Sequence, residues 1–374
     1  MATSRHAWVD VAKAMSIILV VAHHGRGAMA TIGVDDPAVD ATVRFFTELR
    51  MPLFFTASGL FAASWVRRSW GELVQGKLAL LIWVFLLWQP VVIAYQAANM
   101  LWMAQPPRTP DEGLLWTLIT APLKPRGEVW FLWALVWYFV LARATARWPR
   151  GLVLGAAAAV SVAWALIYPN LPLGVPTMLG VWSGLPKFIV FFAAGLVLSP
   201  RILTFFGGLR PLPALALTLP WVAAVLLQRN HGGGEATAHL LIGVLGVVAG
   251  FAIATRLASV AGLARLGQLT LPVYVAHTAM LTALGVLIAN TPLLGPAQAN
   301  PAITMLLVVP TAILLSLQLH TWATSRPVAR YAYLPPPWFL GAGRYGRATR
   351  TPASSSGATQ QLTAAPARPE SDPR

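Results

Sequence analysis

The chain of 374 residues has no cysteine, which excludes disulfides, thiolate nucleophiles and Cys-based metal sites. Charge is also scarce. Charged residues make up 10% of the chain, against roughly a quarter in soluble domains. Acid is scarcest of all, with 12 Asp and Glu against 27 Lys and Arg and a formal net charge of +15. Such an excess can signal nucleic-acid binding, but here the basic residues fall in short loops between apolar runs and in the C-terminal tail. That distribution is a topology signal, and no nucleic-acid partner is expected. No internal repeat is visible, so the inverted-repeat architecture of many secondary transporters has no support. No small-residue cleavage site follows a short apolar region, so the first apolar run is expected to stay as an anchor.

What the chain does have is apolar length. Hydrophobic residues reach 57%, with 16 tryptophans, a residue that favours the membrane–water boundary. A helix needs about 20 apolar residues to cross the hydrocarbon core. On that measure ten spans are predicted, near residues 9–31, 51–66, 78–103, 129–146, 151–169, 181–199, 211–228, 238–255, 267–289 and 302–324. The second and sixth are short, and the third either tilts or breaks at Pro90. The expected fold is an all-α, polytopic bundle in the plasma membrane. Arg67, Arg68 and Lys77, then Arg143, Arg147 and Arg150, Arg201 and Arg210, and Arg256 and Arg265 fall in alternate loops, which places the N-terminus in the cytoplasm. An even span count puts the C-terminus there too. Arg26, Arg44 and Arg50 in the first outer loop run against this rule, partly offset by Asp35, Asp36, Asp40 and Glu48. Residues 1–342 form the membrane domain. The Ala-, Ser-, Thr- and Pro-rich segment 343–374 is expected to be a disordered cytoplasmic tail.

The first span, "VDVAKAMSIILVVAHHGRG", carries a lysine and two histidines, and ionisable groups inside a membrane are costly enough to suggest function. Lys13 and His24 are eleven residues apart, three turns plus about 20°, so they share a stripe and lie roughly 16 Å apart along the axis. Asp10 lies one turn below Lys13 on nearly the same stripe. Either Lys13 snorkels to the inner headgroups with Asp10 as its partner, or it serves a ligand. His24 is the stronger candidate, because an imidazole can take a proton from a hydroxyl and return it. His23 is 100° off the stripe and suits packing or a supporting hydrogen bond. The histidines are scattered, and no metal site is expected.

Four stretches in order resemble the acyltransferase family 3 of integral membrane proteins. "KAMSIILVVAHH" supplies a basic residue, ten intervening residues and a histidine. Together with "WVDVAKA" it looks most like the branch containing fucose 4-O-acetylase-like proteins, with Ala14 and His23 in place of two glycines. "RMPLFFTASGLFAA" (50–63) is similar to the family's Met-Pro-Leu-Phe-Phe stretch, with Arg50 where histidine is commoner. There Ser58 and Gly59 serve either a substrate or close helix packing, and Pro52 suits the first turn of a helix. "GEVWFLWALVWY" (127–138) resembles the Trp-Phe-Leu motif opening a helix, with Glu128 and Trp130. Glu128 either orients an acceptor or is simply solvated. "LGQLTLPVYVAHTAML" (266–281) brings Tyr274 and His277 to one helix face. Where relatives carry two arginines entering the third helix, this chain keeps Lys77, with Arg67 and Arg68 upstream.

The resemblance implies transfer of an acyl group, usually acetyl from cytosolic acetyl-CoA, to a hydroxyl of an envelope carbohydrate or another extracytoplasmic acceptor. Acyl-CoA would be a co-substrate, with no permanently bound cofactor, and the lipid bilayer the other partner. The catalytic set it suggests is His24, Lys13 and His277. Asp10, Ser58, Glu128, Trp130, Tyr274 and Arg50 are the substrate-binding candidates, and Lys13, Arg67, Arg68 and Lys77 the donor-phosphate candidates. Two other classes stay open. One is a glycan or small-molecule exporter without acyl chemistry, and the other is a catalytically silent membrane scaffold.

Overall fold

A computed structural model describes residues 6–102, 116, 119–172, 180–230 and 236–340. The tail from 343, the boundary at 342 and much of the loop between 104 and 128 lie outside these residues. Among the described residues the chain is all-helical, as it must be where no water satisfies backbone groups. Nine helices among the described residues are long and apolar enough to cross a bilayer. In chain order the helices are α1 (Ala7–Ala30), α2 (Pro37–Phe45), α3 (Thr47–Leu60), α4 (Ala63–Val66), α5 (Trp70–Leu73), α6 (Ala79–Trp102), α7 (Trp130–Ala144) and α8 (Arg150–Ile167). They continue as α9 (Gly184–Gly207), α10 (Pro211–Ala216), α11 (Leu219–Asn230), α12 (Ala236–Arg256), α13 (Ala261–Gln268), α14 (Thr270–Ala289), α15 (Leu294–Ala299) and α16 (Pro301–Thr324).

The span expected at 51–66 is built from two pieces. The 14-residue α3 is only about 21 Å long, short of the roughly 30 Å hydrocarbon core. Phe61 and Ala62 form a turn between α3 and α4, so 47–66 is not a single helix of crossing length. The helix starts at Thr47, so Pro52 lies inside it and not in its first turn as the sequence suggests. Proline removes one intrahelical bond there, and Thr56 Oγ1 donates to the Pro52 carbonyl at 2.8 Å.

Two further elements differ from expectation. The third span begins at Trp70, eight residues early, because Ser69 and Glu72 form a reciprocal capping box. A π-helical turn at Val74–Leu78 joins α5 to α6, and α6 runs through Pro90 without ending. The sixth span extends to Gly207 through Pro200 and is 24 residues long, not short.

The first helix sits inside the bundle, packed against α3, α12, α13, α14 and α16. Its buried residues fall on all sides: Trp8, Val9, Val11, Ala12, Ile17, Val20 and Val21 among them. Two close approaches hold the frame. A β-carbon on Gly59 would fall on the Phe192 carbonyl, and one on Gly195 on the Thr56 carbonyl, so only glycine lets α3 and α9 meet backbone to backbone. A β-carbon on Gly267 would likewise fall on the Asp10 carbonyl, which ties α13 to the start of α1. Aromatic packing fills the centre, with Phe55 against Phe131 at 4.6 Å and Phe188 at 5.4 Å.

Candidate active site

Polar side chains converge on α1 at two levels. At the lower level, near the N-terminus of α1, Lys13 Nζ meets Asp10 Oδ1 at 2.7 Å. Asp10 is buried and Lys13 half-buried, so the pair lies within the bundle wall. Lys77, carried by the π-helical turn, lies within electrostatic reach of Lys13 and has its Nζ 5.7 Å from the Phe139 ring centre. Arg143 lies over Trp70 at 5.5 Å. The two other donor-phosphate candidates lie upstream of the π-helical turn. Arg67 is exposed, and Arg68 stacks on Trp65 at 4.4 Å.

At the upper level, about three turns along α1, the His24 ring lies 5.2 Å from the His277 ring. His277 is fully buried. Its Nδ1 faces the Tyr274 carbonyl at 2.7 Å and the Val273 carbonyl at 3.2 Å. Carbonyl oxygens only accept, so Nδ1 carries the proton and Nε2 presents a lone pair. That Nε2 is buried with no hydrogen-bond partner. A basic nitrogen held in a fixed tautomer beside a second imidazole is suited to passing a proton.

The carboxylate of Glu128 belongs to the same level. It is buried, 4% exposed, and is not the solvated interfacial group that its position beside an aromatic belt suggests. Tyr95 Oη donates to its Oε2 at 2.6 Å, while Oε1 has no partner. Gly127 makes this possible: its φ is +60°, and a β-carbon there would collide with the Tyr95 hydroxyl. Glu128 acts electrostatically on both Tyr274 and His277. Tyr274 stands 6.0 Å from His277 and 5.2 Å from Phe131, ring to ring.

The remaining candidates separate from this cluster. Ser58 Oγ donates to the Phe54 carbonyl at 2.8 Å, the ordinary use of serine within a helix. Trp130 is half-buried, packed on Phe188 at 6.0 Å and over Gly184. Arg50 stands at the start of α3, beyond His23, with a buried Nη1 that has no partner.

Sequence reasoning missed Tyr95, Gly127 and Gly267. The local signals were a tyrosine in a largely apolar span, a glycine beside a lone carboxylate and the second residue of the fourth motif.

No curated protein and no solved structure matched the chain. A family model described as an acyltransferase domain matches residues 6–321, a stretch that contains both polar levels and all four motifs. The chain therefore belongs to this acyltransferase family and is a multi-pass membrane acyltransferase.

Proposed function

We propose that the protein transfers an acetyl group from cytosolic acetyl-CoA to a hydroxyl of an envelope carbohydrate or similar extracytoplasmic acceptor, across the plasma membrane and in the manner of fucose 4-O-acetylase-like proteins. The carrying observation is the His24–His277 pair, with rings 5.2 Å apart and an unpartnered Nε2 on His277. In this reading the N-terminus is cytoplasmic and the Lys13 level faces the donor. Lys13 and Lys77 attract the anionic coenzyme, with Arg67 and Arg68 as outer guides.

His24 takes the proton of the acceptor hydroxyl, and the oxygen attacks the thioester carbonyl carbon. The carbon–sulfur bond breaks, and the departing thiolate receives a proton from the imidazolium. His277 stabilises the charge that develops on His24 and keeps its ring oriented. The buried Glu128 favours that positive charge. With no cysteine in the chain, an acyl-thioester on the enzyme is ruled out, and an acyl-histidine intermediate would give ping-pong kinetics.

The test is His24→Ala in membranes that retain the folded protein, supplied with labelled acetyl-CoA. Ester-linked label in an envelope fraction should fall about 10²- to 10⁴-fold. Transfer at near wild-type rate would refute the assignment.

A further inference from the structure

The end of α1 beyond His24 carries more positive charge than its neighbours neutralise. Arg26 pairs with Asp40, and so does Arg44. Lys187 and His239 share Glu48, at 3.7 and 3.1 Å, and His239 also meets Gln228 at 3.2 Å. Arg229 donates to the Ala41 carbonyl. Asp36 is spent capping α2, accepting from the Ala38 and Val39 amides, and Asp35 is exposed to solvent. Five cations, Arg26, Arg44, Arg50, Lys187 and Arg229, therefore stand among four carboxylates, of which Asp40 and Glu48 carry the ion pairs just named.

Arg26 is paired with Asp40 and Arg50 lies within electrostatic reach of Glu48, yet each keeps a donor that these acids do not meet. Arg50 Nη1 and Arg26 Nε are buried donors without partners. A guanidinium N–H buried without an acceptor is costly, and the planar fork that carries it suits carboxylate or phosphate. His23 lies within electrostatic reach of both arginines and has its ring 5.2 Å from His24. His23, next to His24 on α1, is therefore the side chain that feels both arginines and borders the imidazole pair. Arg26 keeps about a third of its side chain exposed, 32%, so this group is reachable from solvent.

We infer that Arg50 and Arg26 form an anion subsite for the acceptor, which would be an acidic hydroxyl compound such as a uronic acid or a phosphorylated sugar. This rests on the acyl-transfer reading and gives it a substrate class. The anion docks on the guanidiniums, and a hydroxyl of the same molecule reaches across His23 to His24. The arginines position the acceptor and take no part in bond making.

The test uses the full chain in phosphatidylcholine nanodiscs, with binding measured separately from transfer. The probes are methyl glucuronide, glucose 6-phosphate, methyl glucoside and inorganic phosphate. At least one acidic sugar should bind roughly tenfold to a hundredfold more tightly than the glucoside. Arg50→Gln should abolish that ratio and Arg50→Lys keep part of it, while Arg147→Gln, on an exposed loop elsewhere, leaves it unchanged. If Arg50→Gln does not fold, Arg26→Gln and Arg50→Lys read the same ratio.

An absent preference, or one that survives both Arg50→Gln and Arg26→Gln, overturns the inference. So does inorganic phosphate binding as tightly as the sugar acids. Loss of the preference when phosphatidylglycerol replaces phosphatidylcholine would assign the site to a lipid headgroup and overturn it too. An acid preference that depends on Arg50, without acetyl transfer to any probe, supports the subsite and instead defeats the transfer reading.

Discussion

Replacing His277 by asparagine separates the two roles this residue could have. The wild-type ring donates from Nδ1 to the Tyr274 carbonyl at 2.7 Å and leaves Nε2 free beside His24. An asparagine amide lies near the Nδ1 position, so it can retain the donor to the carbonyl while deleting the second nitrogen. The residue is wholly buried, and shrinking it should cost about 1–2 kcal/mol of stability. If Nε2 assists proton movement, transfer should fall about 10²- to 10⁴-fold, or roughly 2.7–5.5 kcal/mol in the barrier. Labelled acetyl transfer in membranes gives the rate, and thermal unfolding of the detergent-solubilised protein gives the stability. A His277→Phe variant keeps the ring bulk but loses both nitrogens and should lose activity to the same extent. An asparagine variant with near wild-type turnover would show that His277 only braces the helix.

Other outcomes follow from the same geometry. Lys13→Met should raise the KM for acetyl-CoA about tenfold with a smaller change in kcat, and Lys13→Arg should restore most of the affinity; an unchanged KM would detach this residue from the donor. Tyr95→Phe removes the one hydroxyl bonded to Glu128 Oε2, costing about 1.5–3 kcal/mol, which should appear as a lower Tm together with slower transfer. Gly195→Leu would force α3 and α9 apart and destabilise the protein by roughly 1–3 kcal/mol or more, measurable by thermal unfolding in detergent. Ser69→Ala breaks the capping box at a cost of about 1 kcal/mol, seen as faster amide hydrogen exchange across residues 70–78.

Apolar length and spacing make much of this protein readable from its sequence alone. Runs of about 20 apolar residues have to become membrane helices, because the bilayer offers backbone groups no other partner. The 3.6-residue period put Tyr274 and His277 on one face, as their 6.0 Å ring separation shows. The Asp10–Lys13 pair was likewise within reach of sequence, being three residues apart on one helix. Helix ends were less legible. The Ser69–Glu72 box is a local signal that apolar counting overlooks, and Pro52 looked like a helix start only because Thr47–Met51 is too polar to register as membrane helix.

Tertiary structure alone decided which residues meet. His24 and His277 are 253 positions apart, and no periodicity could pair them; packing of α1 beside α14, with Gly267 seated on the Asp10 carbonyl, sets that register. Glu128 reads as an interfacial carboxylate in the sequence, yet Tyr95 from another span covers it. The unmatched donors of Arg50 and Arg26 are equally invisible in one dimension, since a charge is satisfied or left wanting only by what folds against it. Hydropathy is a local property that fixes which segments enter the membrane. The chemistry depends on distances between segments, which only their packing sets.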